Sequence, residues 1–178
     1  MSALCLDVAD TAARLGLKGP RAADWLAAEG VAAPAGVNTW SRSPADPADV
    51  LIARLGSSEF FLEAQDHGAL ASLAAGLAAE PAGVYPVLRE DFAFRLCGPG
   101  VHDVLAQVCN VDFAGLNLEA RPVIMTLMIG VAVIAVPDGR TEARQYRFWC
   151  DPTFGPSLSE TLGAIVVECG GTITGVGE

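Results

Sequence analysis

Positive charge is scarce in this sequence: 11 Lys and Arg stand against 21 Asp and Glu, for a net charge of −10. Phosphate backbones and anionic membranes repel such a chain, and no Lys/Arg cluster offsets the repulsion, which excludes both as partners. Histidine is scarcer, with only His67 and His102, one in each half of the chain. Neither has a second His, Cys or carboxylate three or four residues on, as a helical ligand pair needs, and Cys109 with Asp112 would supply only two ligands. No metal site is expected. The five cysteines, at 5, 97, 109, 150 and 169, are odd in number and include no C-x-x-C. They read as reduced, mostly buried thiols of a cytoplasmic protein. No apolar run reaches the ~20 residues of a membrane-spanning helix; the longest, 123–136, ends at Pro137. The N-terminus, with Asp7 and Asp10, lacks the basic and apolar segments of a signal peptide, so a soluble protein is expected.

Charge of either sign is thin as well. Charged residues make up 18% and apolar ones 52% of the 178 residues, where about a quarter charged is usual. A surface with so few charges predicts an apolar patch that a partner covers.

What the sequence does carry is a repeat. Gly19-Pro20 and Gly98-Pro99 stand 79 residues apart (98 − 19 = 79). The same offset joins Leu17 to Leu96, Leu26 to Leu105, Gly36 to Gly115 and Asn38 to Asn117. Ala22, Trp25 and Leu26 become Val101, Val104 and Leu105, so the apolar helix face repeats too. A shared offset across helix start, helix face and following turn marks a duplicated supersecondary unit.

The first unit reads as a strand over 13–18 and a helix from Pro20, suited by its fixed φ to a first turn, to Glu29. A loop over 31–49 leads to strands over 50–55 and 59–63. Asp66 then caps a helix faced by Leu70, Leu73, Ala74 and Leu77, and Pro81 and Gly83 end it. A bridging strand is expected over 85–88.

The second unit opens with a strand over 91–97 and a helix over 99–108, faced by Val101, Val104, Leu105 and Val108. After the Gly115/Asn117 turn comes one long apolar strand, 123–136, then a turn at Pro137-Asp138-Gly139-Arg140 and a strand over 145–149. Ser157 and Glu160 have capping-box spacing for a last helix lined by Leu158, Leu162 and Ile165. A closing strand is expected over 166–169. The fold class is α+β: strand–helix–strand–strand–helix twice, with mostly antiparallel sheets and packed helices. It is read as a single domain of two pseudo-repeats, about 13–80 and 91–169.

No catalytic constellation accompanies this architecture. There is no G-x-S-x-G elbow, and no Ser or Cys has a His partner in sequence. Asp103, beside His102, has a structural explanation in the dipole of a helix start. Gly98-Pro99-Gly100 lacks the remainder of a dinucleotide cradle, since position 103 is Asp and no Walker Lys follows. The glycine-rich segment 170–177 has no helix after it and reads as a flexible tail. Asp7/Asp10 and Glu90/Asp91 read as solvated loop charges, and Glu59 as outward polarity on a strand. Phe60, Phe61, Tyr146, Phe148 and Trp149 are expected in the core. The sequence assigns no catalytic, cofactor-binding or metal residue.

With these residues in view, the chain resembles the small gamma subunit of heterotetrameric sarcosine oxidase. The resemblance rests on Arg14-Leu15-Gly16-Leu17-Lys18-Gly19-Pro20 with Trp25-Leu26, and on the stretch Arg54 to Leu62. Cys97-Gly98-Pro99-Gly100, the run 121–136 and the segment 146–154 carry it further, to span roughly 13–165. That family is similar in turn to the folate-binding domain of glycine-cleavage T proteins and aminomethyltransferases. The resemblance implies a non-catalytic scaffold bound to larger oxidase subunits, with FAD, FMN, NAD and tetrahydrofolate held by those subunits and no cofactor in this chain. The complex so implied demethylates sarcosine oxidatively and passes the one-carbon unit to tetrahydrofolate. Pro152-Thr153-Phe154-Gly155 and Arg121-Pro122 depart from the family's usual Arg-Ser-Phe-Ala and Arg-Thr, which leaves dimethylglycine or N-methylglutamate open as the amine. Two other readings stand beside it: a free-standing folate-binding aminomethyltransferase-like protein, and an orphan protein-interaction domain. The Lys-Gly-Cys motif of related iron–sulfur-assembly proteins is absent, because Pro20 follows Lys18-Gly19.

Overall fold

The computed structural model describes residues 3–43, 49–138 and 144–175. They divide into two compact units. One runs from Thr11 to Arg89, and the other combines the segment up to Asp10 with everything from Glu90 onward.

In the Thr11–Arg89 unit, strand β2 (Ala13–Lys18) ends at Gly19, and helix α1 (Ala22–Ala28) follows. Gly19 has φ +134, and a Cβ there would lie 2.3 Å from the carbonyl oxygen of Gly83, so only glycine fits. Strands β3 (Thr39–Arg42), β4 (Leu51–Arg54) and β5 (Glu59–Ala64) come next, then helix α2 (Ala71–Ala78) and strand β6 (Tyr85–Val87). Their antiparallel order is β3-β4-β5-β2-β6. Alternation sends Leu17, Ile52, Phe60 and Leu62 toward Leu26, Leu70, Leu73 and Leu77 in one buried cluster. Pro86 suits β6 to the sheet edge, where a missing N–H costs no ladder bond.

The other unit repeats this order with β7 (Phe92–Cys97), α3 (Val101–Val108), β8 (Ile124–Met128), β9 (Val131–Pro137), β10 (Gln145–Cys150) and α4 (Gly155–Glu168). Two short strands complete its sheet, β1 (Cys5–Asp7) and β11 (Thr172–Thr174). The order is β11-β1-β7-β10-β9-β8, antiparallel except for the parallel pair β1/β11. Phe94, Leu96, Phe148 and Leu6 pack against Val101, Val104, Leu105, Leu158, Leu162 and Val166. Gly98 repeats the role of Gly19: φ is +99, and a Cβ would meet the carbonyl oxygen of Ala3 at 2.3 Å.

This is an α+β architecture with mostly antiparallel sheets, and all five aromatics expected in the core are buried. Several elements differ from expectation. The loop over 31–49 contains β3. The 123–136 run is two strands, folded back at Ile129 (φ 51) and Gly130 (φ 80), a left-handed pair of the kind a tight hairpin demands. The last helix starts at Gly155 rather than behind a Ser157/Glu160 capping box; the Asp151 side chain caps the preceding 3-10 turn, and Ser157 Oγ donates to the Phe154 carbonyl. Val166–Cys169 is not a strand, because Val166 extends the buried Leu158/Leu162 stripe of α4. The closing strand is instead β11, in the glycine-rich segment read as a flexible tail, where β1 supplies its backbone partners. Ala74 is exposed, so the α2 face is Leu70, Leu73 and Leu77 alone. The expected Gly139-Arg140 turn lies outside the described residues.

Candidate functional site

Each sheet turns one face to its helices, and the opposite face carries the unusual chemistry. In the second unit the register sets Met125, Ile134, Trp149 and Ala93 in one cross-strand row and Leu127 beside Ala132. Met125 and Leu127 are 51% and 59% exposed, far above the core-facing Met128 at 0%. Met125, Leu127, Ala132, Ile134 and Trp149 floor an open groove of about 680 Å³, rimmed at one end by Asp91, Asn110, Cys150 and Asp151.

The groove's polar end is poorly suited to nucleophilic chemistry. Burial pushes the Cys150 thiol up to about 11, with the carboxylates of Asp151 and Asp91 adding to the shift, so it stays protonated near neutrality. Hydrogen bonds from the Thr153 hydroxyl (2.6 Å) and amide (2.8 Å) hold the Asp151 carboxyl below its usual range and occupy it as a cap. What remains is an apolar floor with anionic charge at one rim.

Both histidines are hydrogen-bonded within their own unit. The Tyr146 hydroxyl donates to the Phe113 carbonyl at 3.2 Å, so His102 Nε2 donates to the Tyr146 oxygen at 2.7 Å. Burial lowers the His102 pKa, with Arg144 adding to the effect, and raises that of Tyr146. His67 Nε2 bonds the Thr11 carbonyl. Cys109 Sγ lies 3.6 Å from Thr126 Oγ1, while Asp112 accepts from the Gly115 amide at 3.0 Å, so this pair is engaged separately. Among the described residues no three His, Cys, Asp or Glu side chains converge as metal ligands.

The carboxylates expected to be solvated are not idle. Asp10 accepts from Arg147 Nη2 at 2.8 Å, and that Arg side chain is 1% exposed. Asp7 accepts from the Ala9 amide and the Thr174 hydroxyl. Glu59 pairs with Arg89 at 3.0 Å. In the Thr11–Arg89 unit, Arg14 Nε donates to Glu63 at 2.8 Å, with the side chains 7% and 6% exposed. These buried ion pairs escaped the sequence reading, because each depends on strand pairing between distant segments. The cysteines, expected to be mostly buried, divide: Cys109 and Cys150 are buried, Cys5 and Cys97 partly so, and Cys169 is exposed. That distribution follows the pleat, which puts Cys150 on the core face and Cys5 and Cys97 on the other.

No family model matches the sequence, and no curated protein matches it. Solved structures do. A chain of heterotetrameric sarcosine oxidase from Corynebacterium sp. U-96, in complex with pyrrole 2-carboxylate, superposes with a TM-score of 0.70 at 24% identity, covering 97% of this chain and 86% of that one. Glycine cleavage system aminomethyltransferase T from Bartonella henselae superposes with a TM-score of 0.67 at 18% identity; the match covers 97% of this chain but only 48% of the enzyme. The protein therefore has the fold shared by a chain of a heterotetrameric sarcosine oxidase and by part of an aminomethyltransferase.

Proposed function

We propose that this protein is the non-catalytic small (gamma) subunit of a heterotetrameric sarcosine oxidase-like complex. The complex oxidatively demethylates sarcosine or a related N-methyl amine and passes the one-carbon unit to tetrahydrofolate, with FAD, FMN, NAD and tetrahydrofolate held by the larger subunits in the cytoplasm. One observation carries the reading: the match to the sarcosine oxidase chain is nearly end to end in both directions, at 97% and 86%. The aminomethyltransferase is matched over about half its length, which favours a subunit over a free-standing enzyme of that type.

Two features of the chain agree with this role. Among the described residues neither histidine is placed as a base beside a Ser or Cys nucleophile, and the core-facing Cys150 thiol at the groove's end is held protonated. The exposed strip of Met125 and Leu127 is the kind of apolar surface that a monomer seldom leaves uncovered.

The test is affinity capture of the tagged chain from its native cells, with mass and visible absorbance read on the eluate. Co-elution with larger subunits and a flavin spectrum is expected, together with demethylation of sarcosine, dimethylglycine or N-methylglutamate by the recovered complex. A colourless lone chain would refute the subunit reading.

A further inference from the structure

Cys5 on β1 stands directly opposite Cys97 on β7 in the antiparallel register. Directly opposed residues project from the same face of a sheet. Their neighbours Leu6 and Leu96, also opposed, fill the helix-covered core, so the two thiols lie together on the other face. Leu4 O and Val8 N bond to β11, which leaves the N–H and C=O groups of Cys5 pointing at β7. The cysteines thus form a hydrogen-bonded antiparallel pair, with Cα atoms about 5.5 Å apart. That separation lies within the window a disulfide spans.

We propose that Cys5 and Cys97 are a reversible redox pair, closing to a cross-strand disulfide on exchange with an oxidised low-molecular-weight thiol of the glutathione type. A hydrogen-bond chain runs from one of the two sulfurs along the strands. Cys5 Sγ lies 3.6 Å from Thr174 Oγ1, and the Thr174 hydroxyl donates to Asp7 Oδ1 at 3.2 Å. Burial, with Cys5 and Asp7 adding to it, raises the Cys97 pKa, which assigns Cys97 the second, resolving step.

In the first step the Cys5 thiolate attacks one sulfur of the small disulfide, breaking its S–S bond and releasing one small thiol. The Cys97 thiolate then attacks the Cys5 sulfur of the mixed disulfide, forming the protein S–S bond and expelling the second small thiol. Two electrons and two protons pass from the cysteines to the small disulfide. Directly opposed Cβ atoms sit about 4.5–5.5 Å apart, wider than a relaxed disulfide prefers, so the closed bond is strained and readily reduced. It is a switch rather than a permanent staple. Cys109 and Cys150 are buried, and Cys169 lies beside Gln107, so none of them competes at this position.

The test uses the full chain carrying Cys169→Ser, to suppress crosslinking between molecules, equilibrated against graded ratios of oxidised to reduced glutathione. At about pH 8 an ordinary thiol is partly ionised. After acid quench, intact mass and non-reducing peptide maps are read. The expected result is loss of two hydrogens in most molecules at the oxidising end, one crosslinked Cys5–Cys97 peptide, and full reversal at the reducing end. Cys97→Ser should instead accumulate a glutathione adduct on Cys5. A wild-type pair that stays as two thiols at every ratio, that carries adducts without crosslinking, or that bonds to another cysteine overturns the proposal.

Discussion

The two units share a strand order position for position, yet they complete their sheets differently. In the Thr11–Arg89 unit, β6 flanks β2 and ends the sheet; in the other, β1 flanks β7 in the same place and β11 continues beyond it. The glycines show how close the equivalence is. Gly19 abuts the carbonyl of Gly83, two residues before β6, and Gly98 abuts that of Ala3, two residues before β1. Away from their helices the sheets diverge in side chain while keeping one motif. Arg89 lies over Phe61 on β5 and Arg147 over Trp149 on β10, with guanidinium-to-ring distances of 5.3 and 5.8 Å. Shared backbone thus constrains the helix-facing core more tightly than the face behind it.

The ion pairs give the largest break in this comparison. Glu63→Gln leaves the Arg14 guanidinium buried against a neutral partner and should cost about 3–5 kcal/mol in urea unfolding. Asp10→Asn, whose side chain is 17% exposed, should cost less, about 1–3 kcal/mol. Equal losses would mean that the two pairs are buried alike in solution.

Next come the matched glycines. Gly19→Ala and Gly98→Ala each force a Cβ onto a carbonyl oxygen at strained φ, and each should lower stability by about 3 kcal/mol. Gly30→Ala, at φ +81 with open space around the added methyl, should cost only about 1–2 kcal/mol. A large difference between Gly19→Ala and Gly98→Ala would break the equivalence of β6 and β1.

The smallest effect is one of pH. The Thr11–Arg89 unit has Ala23 where the repeat offset puts His102, so only the other unit carries this titration. The folded pKa of His102 lies below the unfolded value of 6.5. Above 6.5 neither state is charged there and nothing is lost. As pH falls below 6.5 the unfolded state takes up the proton first, so stability declines until the folded pKa is passed. His102→Gln should flatten that part of the pH–stability curve; an unchanged slope would refute the assignment.

The sequence made the two Gly-Pro strand-to-helix turns legible, because a glycine forced by close approach leaves a local mark, but each helix starts two residues past the proline expected in its first turn, behind Arg21 and Gly100. β2 was legible to the residue at Ala13–Lys18. The hairpin inside 123–136 was not, because Ile129 occupies a left-handed position where Asn or Asp would have announced a turn. β11 was hidden because its partner β1 lies at the other end of the chain, and three-residue strands carry almost no periodicity. The repeat itself drifts: the offset is 79 at Leu17/Leu96 (96 − 17), 83 at Ile52/Ala135 (135 − 52) and 86 at Leu62/Phe148 (148 − 62), positions matched by register. Part of the drift is the β9–β10 connection, 138–144, against 55–58 between β4 and β5. A search at one fixed offset therefore finds only the first third of each unit. The groove floor was equally hidden, since Met125, Ile134 and Trp149 meet only once three strands are in register.

Along the chain the Thr11–Arg89 unit falls between β1 and β7 of the other unit, and this has a consequence for synthesis on the ribosome. Domains tend to fold as they emerge, N-terminal first. All strands of the inserted unit emerge while β7 is still unmade, so it can close early. β1, translated before any of them, must wait with its edges unpaired for β7 and β11, the last strand to appear. Among the described strands, β1 is made before the others and is among the last to find its place.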